Sequence, residues 1–160
     1  MTEESHVRIE SDADTVIARH AGRDAALRLG FTRTEATFVA TAISEIARNI
    51  TVHAGAGEII LRELDEDGRR GLEVIARDEG PGIDDVDRVM RQDYESNAGL
   101  GMGIWGAMRL MDEVHIQSGP GDGTTVTMRK WCGFDEVAAF LDGQGNNRTS
   151  HEELVAQDVD

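Results

Sequence analysis

"ISEIARNI", residues 43–50, decides how the rest of the chain is read. Ile43, Ile46 and Ile50 recur at three- and four-residue spacing, which marks one face of a helix. Glu45 and Asn49 stand one turn apart at the edge of that face. At about 100° per residue they differ by roughly 40° around the axis, so their side chains can point at one spot. A carboxylate there can bind a cation or accept a proton, and a carboxamide oxygen is a hard ligand suited to magnesium. Taken alone, the pair also fits a solvated helix edge, so its meaning depends on its surroundings.

Toward the N-terminus, Phe38, Val39 and Ala42 extend the apolar stripe, and Thr32 with Glu35 forms the capping box that opens the helix. Ser11 with Asp14 opens an earlier helix that stops at Gly30, and "HVRIE" before it reads as a strand. Toward the C-terminus, "GEIILRELDED" and "GLEVIARDE" are strand-like runs joined by an Asp-Gly turn. "DDVDRVMRQ" reads as a short helix and "DYESNAGLG" as a polar loop. "MGIWGAMRLMDE" is an amphipathic helix with Ile104, Met108 and Leu110 or Met111 inward. "EVHIQSG" and "TTVTMRKW" pair around "GPGDG". The order β-α-α-β-β-α-α-β-β predicts a two-layer α/β sandwich, a mixed sheet with its helices on one face.

A chain of 160 residues suffices for one core. Its net charge of −15 argues against non-specific nucleic-acid binding, which needs Lys and Arg on phosphates. A nucleotide stays possible, because backbone amides and a divalent cation hold phosphates in acidic proteins. There is no run of apolar residues long enough for a membrane span and no secretory pattern in "MTEESHVRIE". Cys132 has no second cysteine to pair with, so a cytoplasmic protein with a buried thiol is expected. From Phe134 onward acids face Arg148 alone; residues 1–133 are read as the folded domain and 134–160 as an acidic, largely disordered extension.

Three further stretches carry chemistry. In "RDEGPGI", Asp78 ends a strand, and Gly80 and Gly82 flank Pro81. A carboxylate beside bare backbone can accept a hydrogen bond from the amino group of a flat ring sliding over glycine. In "NAGLGMGIWG", Gly99, Gly101 and Gly103 alternate before a helix, so backbone N–H groups and the helix N-terminus can meet phosphate oxygens. Residues 101–106 match the dinucleotide fingerprint G-x-G-x-x-G letter for letter, but that motif requires a strand immediately before it, and "RQDYESNAGL" is polar and loose. In "GDGTTV", Thr124 opens a strand after a Gly-x-Gly turn, where its hydroxyl can satisfy a ring nitrogen directly or through water.

The order of these boxes resembles the Bergerat ATP-binding fold of gyrase, sensor histidine kinases and mismatch-repair ATPases. More closely, "AISEIARNITVHAGAGEI", "GLEVIARDEGPGI", "AGLGMGIWGAMRLMDE" and "GTTVTMRKW" are similar to the RsbT-type serine/threonine kinases of the bacterial stressosome, over roughly residues 6 to 131. Arg48 before Asn49 and Ile50 after it depart from anti-sigma-factor kinases of the RsbW type. Trp105 and the extension beyond Phe134 depart from the RsbT pattern and bear on partner choice. The resemblance implies a protein serine/threonine kinase using ATP and Mg²⁺. Its implied partners are STAS-domain antagonist or scaffold proteins and, on release, a PP2C-type phosphatase. It implies that Asn49 ligates the metal and Glu45 activates the hydroxyl. Asp78 would accept from the adenine amino group, with Gly80 and Gly82 beneath the ring. Gly99, Gly101 and Gly103 would close over the phosphates, and Thr124 would support the adenine end. Alternatives are an RsbW-type anti-sigma factor and a nucleotide-gated adaptor with negligible kinase activity. His53, one turn beyond Asn49, is expected to be structural.

Overall fold

The computed structural model describes residues 4–82 and 103–132. Strand β1 (Glu4–Ile9) leads into helices α1 (Asp12–Leu29) and α2 (Arg33–His53). Strands β2 (Gly57–Glu66) and β3 (Arg69–Asp78) follow, then α3 (Gly103–Leu110), β4 (Glu113–Ser118) and β5 (Thr124–Trp131).

Local signals set the boundaries. Gly30 ends α1 with φ 102°, and its N–H bonds to Leu27 O while Phe31 N–H reaches Ala26 O, closing the last turn. Thr32 Oγ1 accepts from Glu35 N–H at 3.1 Å and Glu35 accepts from Thr32 N–H at 2.9 Å, a complete capping box. The Ser11 cap is different: its hydroxyl makes no bond to the helix backbone, and Asp14 accepts from Glu10 N–H at 2.9 Å instead. Asp67 and Gly68, with φ 56° and 79°, form the two-residue turn between β2 and β3.

The five strands run in the order β1-β2-β3-β5-β4. All four ladders are antiparallel, which corrects the expectation of a mixed sheet. Between β1 and β2 there are two helices rather than one, so the chain returns to the sheet reversed and β2 runs against β1. Strands β3 and β4 do run the same way, but β5 lies between them and against both. Among the described residues, paired helices and one inserted strand remove every parallel contact.

The helices cover one face of the sheet, so the two-layer sandwich stands. Val39, Ile43, Ile46 and Ile50 of α2 pack with Ala18, Ala25 and Leu29 of α1 on Ile9, Ile59, Leu61, Leu72, Val74, Val126 and Met128. Phe38 lies outside this core, 38% exposed, with the Lys130 ammonium 5.6 Å from its ring centre. Met111 and Cys132 are buried. The other face carries ion pairs: Arg77 to Glu58 at 3.0 Å, and buried Glu73 held by Arg62 at 2.9 Å and Arg129 at 2.8 Å. The short helix expected at "DDVDRVMRQ" and the extension from residue 134 lie outside the described residues.

Candidate nucleotide site

Strand pairing assembles one transverse row. Gly57 of β2 faces Asp78 of β3, Asp78 faces Thr124 of β5, and Thr124 faces Ser118 of β4. Directly paired residues share a face of the sheet. Two residues along, Ile59, Ala76, Val126 and Ile116 form the parallel row that packs into or against the core. The Gly57–Ser118 row is therefore the polar last rung of the helix-covered face.

Asp78 is half-buried, and its Oδ1 accepts from Gly80 N–H at 2.8 Å. That bond folds the chain back at the strand end and leaves the second oxygen without a partner among the described residues. The neighbouring cation points elsewhere: Arg77 lies on the opposite face with Glu58. Its guanidinium is the first cause, and His6 the second, that holds the Glu58 carboxyl below its ordinary range.

Glycines let backbone crowd this end. A methyl on Gly80 would lie 2.7 Å from Ala54 Cβ, at the end of α2. One on Gly82 would strike the Gly119 carbonyl, and one on Gly123 the Asp78 carbonyl. Pro81 O accepts from Gly121 N–H at 2.7 Å, so the Gly80–Gly82 turn and the β4–β5 turn support each other. The two turns form one bare-backbone platform beside Asp78 and Thr124.

Helix α2 reaches the same end of the sheet through Ile50, which packs against Gly57, and through Ala54. One and two turns back along it are Asn49 and Glu45, both half-buried. The Asn49 amide makes no side-chain hydrogen bond among the described residues, which suits a ligand oxygen. No cluster of three His, Cys, Asp or Glu exists among those residues, so the protein there offers no cage of its own. A magnesium ion held by Asn49 would take its other oxygens from phosphates and water, which is its usual manner. His53 is exposed at the end of α2. A cleft of about 410 Å³ opens beside Asp78 and Gly57, but Arg8, Glu58 and Arg77 line it and neither Glu45 nor Asn49 does. It extends toward the helix-free side.

Of the expected residues, the structure brings together Asp78, Gly80, Gly82 and Thr124, with Glu45 and Asn49 on the adjoining helix. Gly103 opens α3, while Gly99 and Gly101 lie outside the described residues. Gly57, Ser118 and Gly123, which adjoin Asp78 and Thr124, were not singled out as candidates from the sequence. The Gly-x-Gly of "GDG" hinted at the last; the other two emerge only from strand register.

Residues 9–130 match the histidine kinase-like ATPase domain. The chain is 44% identical over 131 residues to the serine/threonine-protein kinase RsbT of Bacillus subtilis strain 168, covering 82% of this chain and 98% of that one. It is 36% identical over 132 residues to an anti-sigma F factor of Caldanaerobacter subterraneus subsp. tengcongensis, covering 78% and 86% respectively. With the family matched over most of its length, and with the Asp78 rung beside a helix bearing Glu45 and Asn49, this chain belongs to the histidine kinase-like ATPase domain family as a relative of the RsbT kinase.

Proposed function

We propose that the protein is an ATP- and Mg²⁺-dependent serine/threonine kinase of a partner-switching stress response. Its substrates are STAS-domain antagonist or scaffold proteins, and after release it activates a PP2C-type phosphatase. The observation that carries this reading is the joining of Asp78, Thr124 and the glycine platform to the helix of Glu45 and Asn49, in a chain 44% identical to a named serine/threonine kinase.

Asp78 accepts from the adenine amino group, and the ring lies over Gly80 and Gly82. Thr124 supports the same end. Asn49 would hold Mg²⁺, which when bound neutralises charge across the phosphates. Backbone N–H groups of Gly99, Gly101 and Gly103 meet the phosphate oxygens. Glu45 orients the substrate hydroxyl and takes its proton as the new O–P bond forms and the bond to ADP breaks. Catalysis is then mainly positioning and charge neutralisation. The domain responsible is residues 1–133, with 134–160 as an acidic extension that is dispensable for transfer from about Gly143 onward. The setting is the cytoplasm; no helix among the described residues is long and apolar enough to cross a membrane.

The test is single-turnover transfer from γ-labelled ATP to a STAS-domain partner. Wild type transfers label. Glu45→Ala binds ATP but transfers more slowly, by about 10²–10⁴ if acid–base chemistry dominates. A loss of only about tenfold assigns Glu45 to orientation, because a dissociative transition state asks little of a base. Label transfer unchanged in Glu45→Ala contradicts the catalytic assignment. Similarity to an anti-sigma F factor supports a second reading, sequestration of a sigma factor. Pull-down separates the two: a retained sigma factor favours it, a retained STAS protein the first.

A further inference from the structure

We infer that Lys130 is a positioning residue for the phosphates: its ammonium pins the far end of α3 and so holds the end that starts at Gly103 in a fixed place relative to Asn49 on α2. The inference rests on the nucleotide-binding reading above and adds a residue to it.

Three successive residues of β5 hold the corner where α3 ends. Lys130 Nζ donates to the Leu110 carbonyl at 3.1 Å. Asp112 N–H donates to the Arg129 carbonyl at 2.9 Å, and the Asp112 carboxylate accepts from Trp131 N–H at 2.7 Å. Of these bonds, only that of Lys130 reaches the helix itself. Leu110 is its last residue, where carbonyls lack partners within the helix and the helix dipole favours a cation. The Lys130 side chain is only 12% exposed, with Asp112 Oδ1 3.8 Å away, so little water competes for the carbonyl.

The same ammonium stands 5.6 Å from the centre of the Phe38 ring on α2, a distance at which a cation is attracted to the ring face. Lys130 therefore joins α3 to α2 at one point. α3 packs along α2, with Gly106 and Ala107 buried. Two and three turns beyond Phe38 on α2 come Glu45 and Asn49, within roughly 20° of its direction around the axis. α3 has eight residues and is about 12 Å long. A helix this short tilts as one piece. Released at Leu110, it turns about the Gly106–Ala107 contact and carries Gly103 out of place relative to Asn49. The N–H groups for the phosphates and the amide for Mg²⁺ then no longer fit one polyphosphate. Direct contact with the base is not involved. Lys130 stands six residues along β5 from Thr124, about 20 Å away, so its loss leaves the base end at Asp78 and Thr124 intact.

The experiment measures the affinity of ATP·Mg²⁺ and of adenosine, by competition against a fluorescent ATP analogue, in wild type, Lys130→Met, Lys130→Arg and Glu73→Gln. Adenosine engages the base end alone. Lys130→Met should weaken ATP by about three- to tenfold, the scale of a cation at a helix end, and leave adenosine as in wild type. Lys130→Arg keeps a cation and N–H donors and should keep ATP binding. Glu73→Gln controls for lost stability and should move neither ligand. Lys130→Gln, uncharged and shorter, replaces Lys130→Met if that variant does not fold, with the same outcomes expected. Unchanged ATP affinity in the uncharged variant, an equal loss of ATP and adenosine, or a loss matched by Glu73→Gln overturns the inference. Asp78→Asn separates this from the parent reading. If Asp78→Asn loses both ligands while Lys130→Met keeps the wild-type ratio of ATP to adenosine affinity, only the Lys130 role falls. If wild type binds neither ligand, both fall.

Discussion

At one end of the sheet, Asp67 and Gly68 close the β2–β3 hairpin with positive φ, and a methyl on Gly68 would meet nothing within 4 Å. At the other end, Gly82 and Gly123 also have positive φ, but methyls there would strike the carbonyls of Gly119 and Asp78. Glycine in the first turn is needed for backbone conformation alone. In the second it is needed for conformation and for space. A sheet needs only the first use to turn a corner. The second seats the β4–β5 turn against the backbone of the Gly80–Gly82 turn and the Asp78 carbonyl, a crowding that the β2–β3 connection does not need.

Replacing the crowded glycine should have the largest effect. In Gly123→Ala, overpacking of about 1–3 kcal/mol adds to left-handed strain of about 1–2 kcal/mol. Thermal melting should show that loss, and ATP affinity should fall with it because the Asp78 carbonyl is displaced. An alanine variant with wild-type affinity would mean that the crowding has no bearing on the ligand.

Next comes the middle of the sheet, which serves both ends. Glu73 is buried and bonded to Arg62 and Arg129 on the helix-free face. Glu73→Gln removes the charge from two charge-assisted bonds, so denaturant melts should report a loss of about 1–3 kcal/mol. ATP affinity at a temperature where the variant is folded should stay as in wild type. Stability and binding falling together would blur the division between the platform and the rest of the sheet.

Gly68→Ala should cost about 1 kcal/mol, the left-handed penalty without a clash. Melting measures it, and ATP affinity should not move. The smallest effect belongs to the exposed edge of the sheet. The Glu4 carboxylate first, and Glu58 second, raise the His6 pKa above 6.5. A raised folded-state value means that the stabilisation is full below 6.5 and is lost as pH climbs through the folded value. Glu58, lowered by Arg77 and His6, contributes in the opposite sense: present above 4.5 and lost as pH falls below it. A melting series from pH 6 upward should therefore show a slight decline in wild type that His6→Gln lacks; identical slopes would remove His6 from the account.

Much of the fold was legible because its signals are local. The Thr32–Glu35 box, the Gly30 stop and the Asp67–Gly68 turn each act within a few residues, and each stands where the sequence puts it. The strand directions were not legible in the same way. The two helices between β1 and β2 were read, but the insertion of β5 between β3 and β4 is a long-range choice that no window of residues contains. The candidate site residues divide similarly. Asp78 at the end of β3, and Gly80 and Gly82 in the turn that follows, lie in one short stretch with an evident turn chemistry. Ser118 becomes visible only when the β4–β5 register sets it opposite Thr124, and Gly57 only when β2 sets it opposite Asp78. Phe38 satisfied the helical period yet fell at the margin of the stripe, beside Lys130.

The central claim is that the crowded end of the sheet binds the base of a nucleotide through Asp78. Titration of ATP·Mg²⁺ into wild type and Asp78→Asn by calorimetry tests it most directly, with Gly68→Ala as the control from the other end. The account predicts binding by wild type and by Gly68→Ala. It predicts a loss of about ten- to a hundredfold in Asp78→Asn, the worth of a charge-assisted hydrogen bond of about 1.5–3 kcal/mol. Wild-type affinity in a folded Asp78→Asn variant would contradict it.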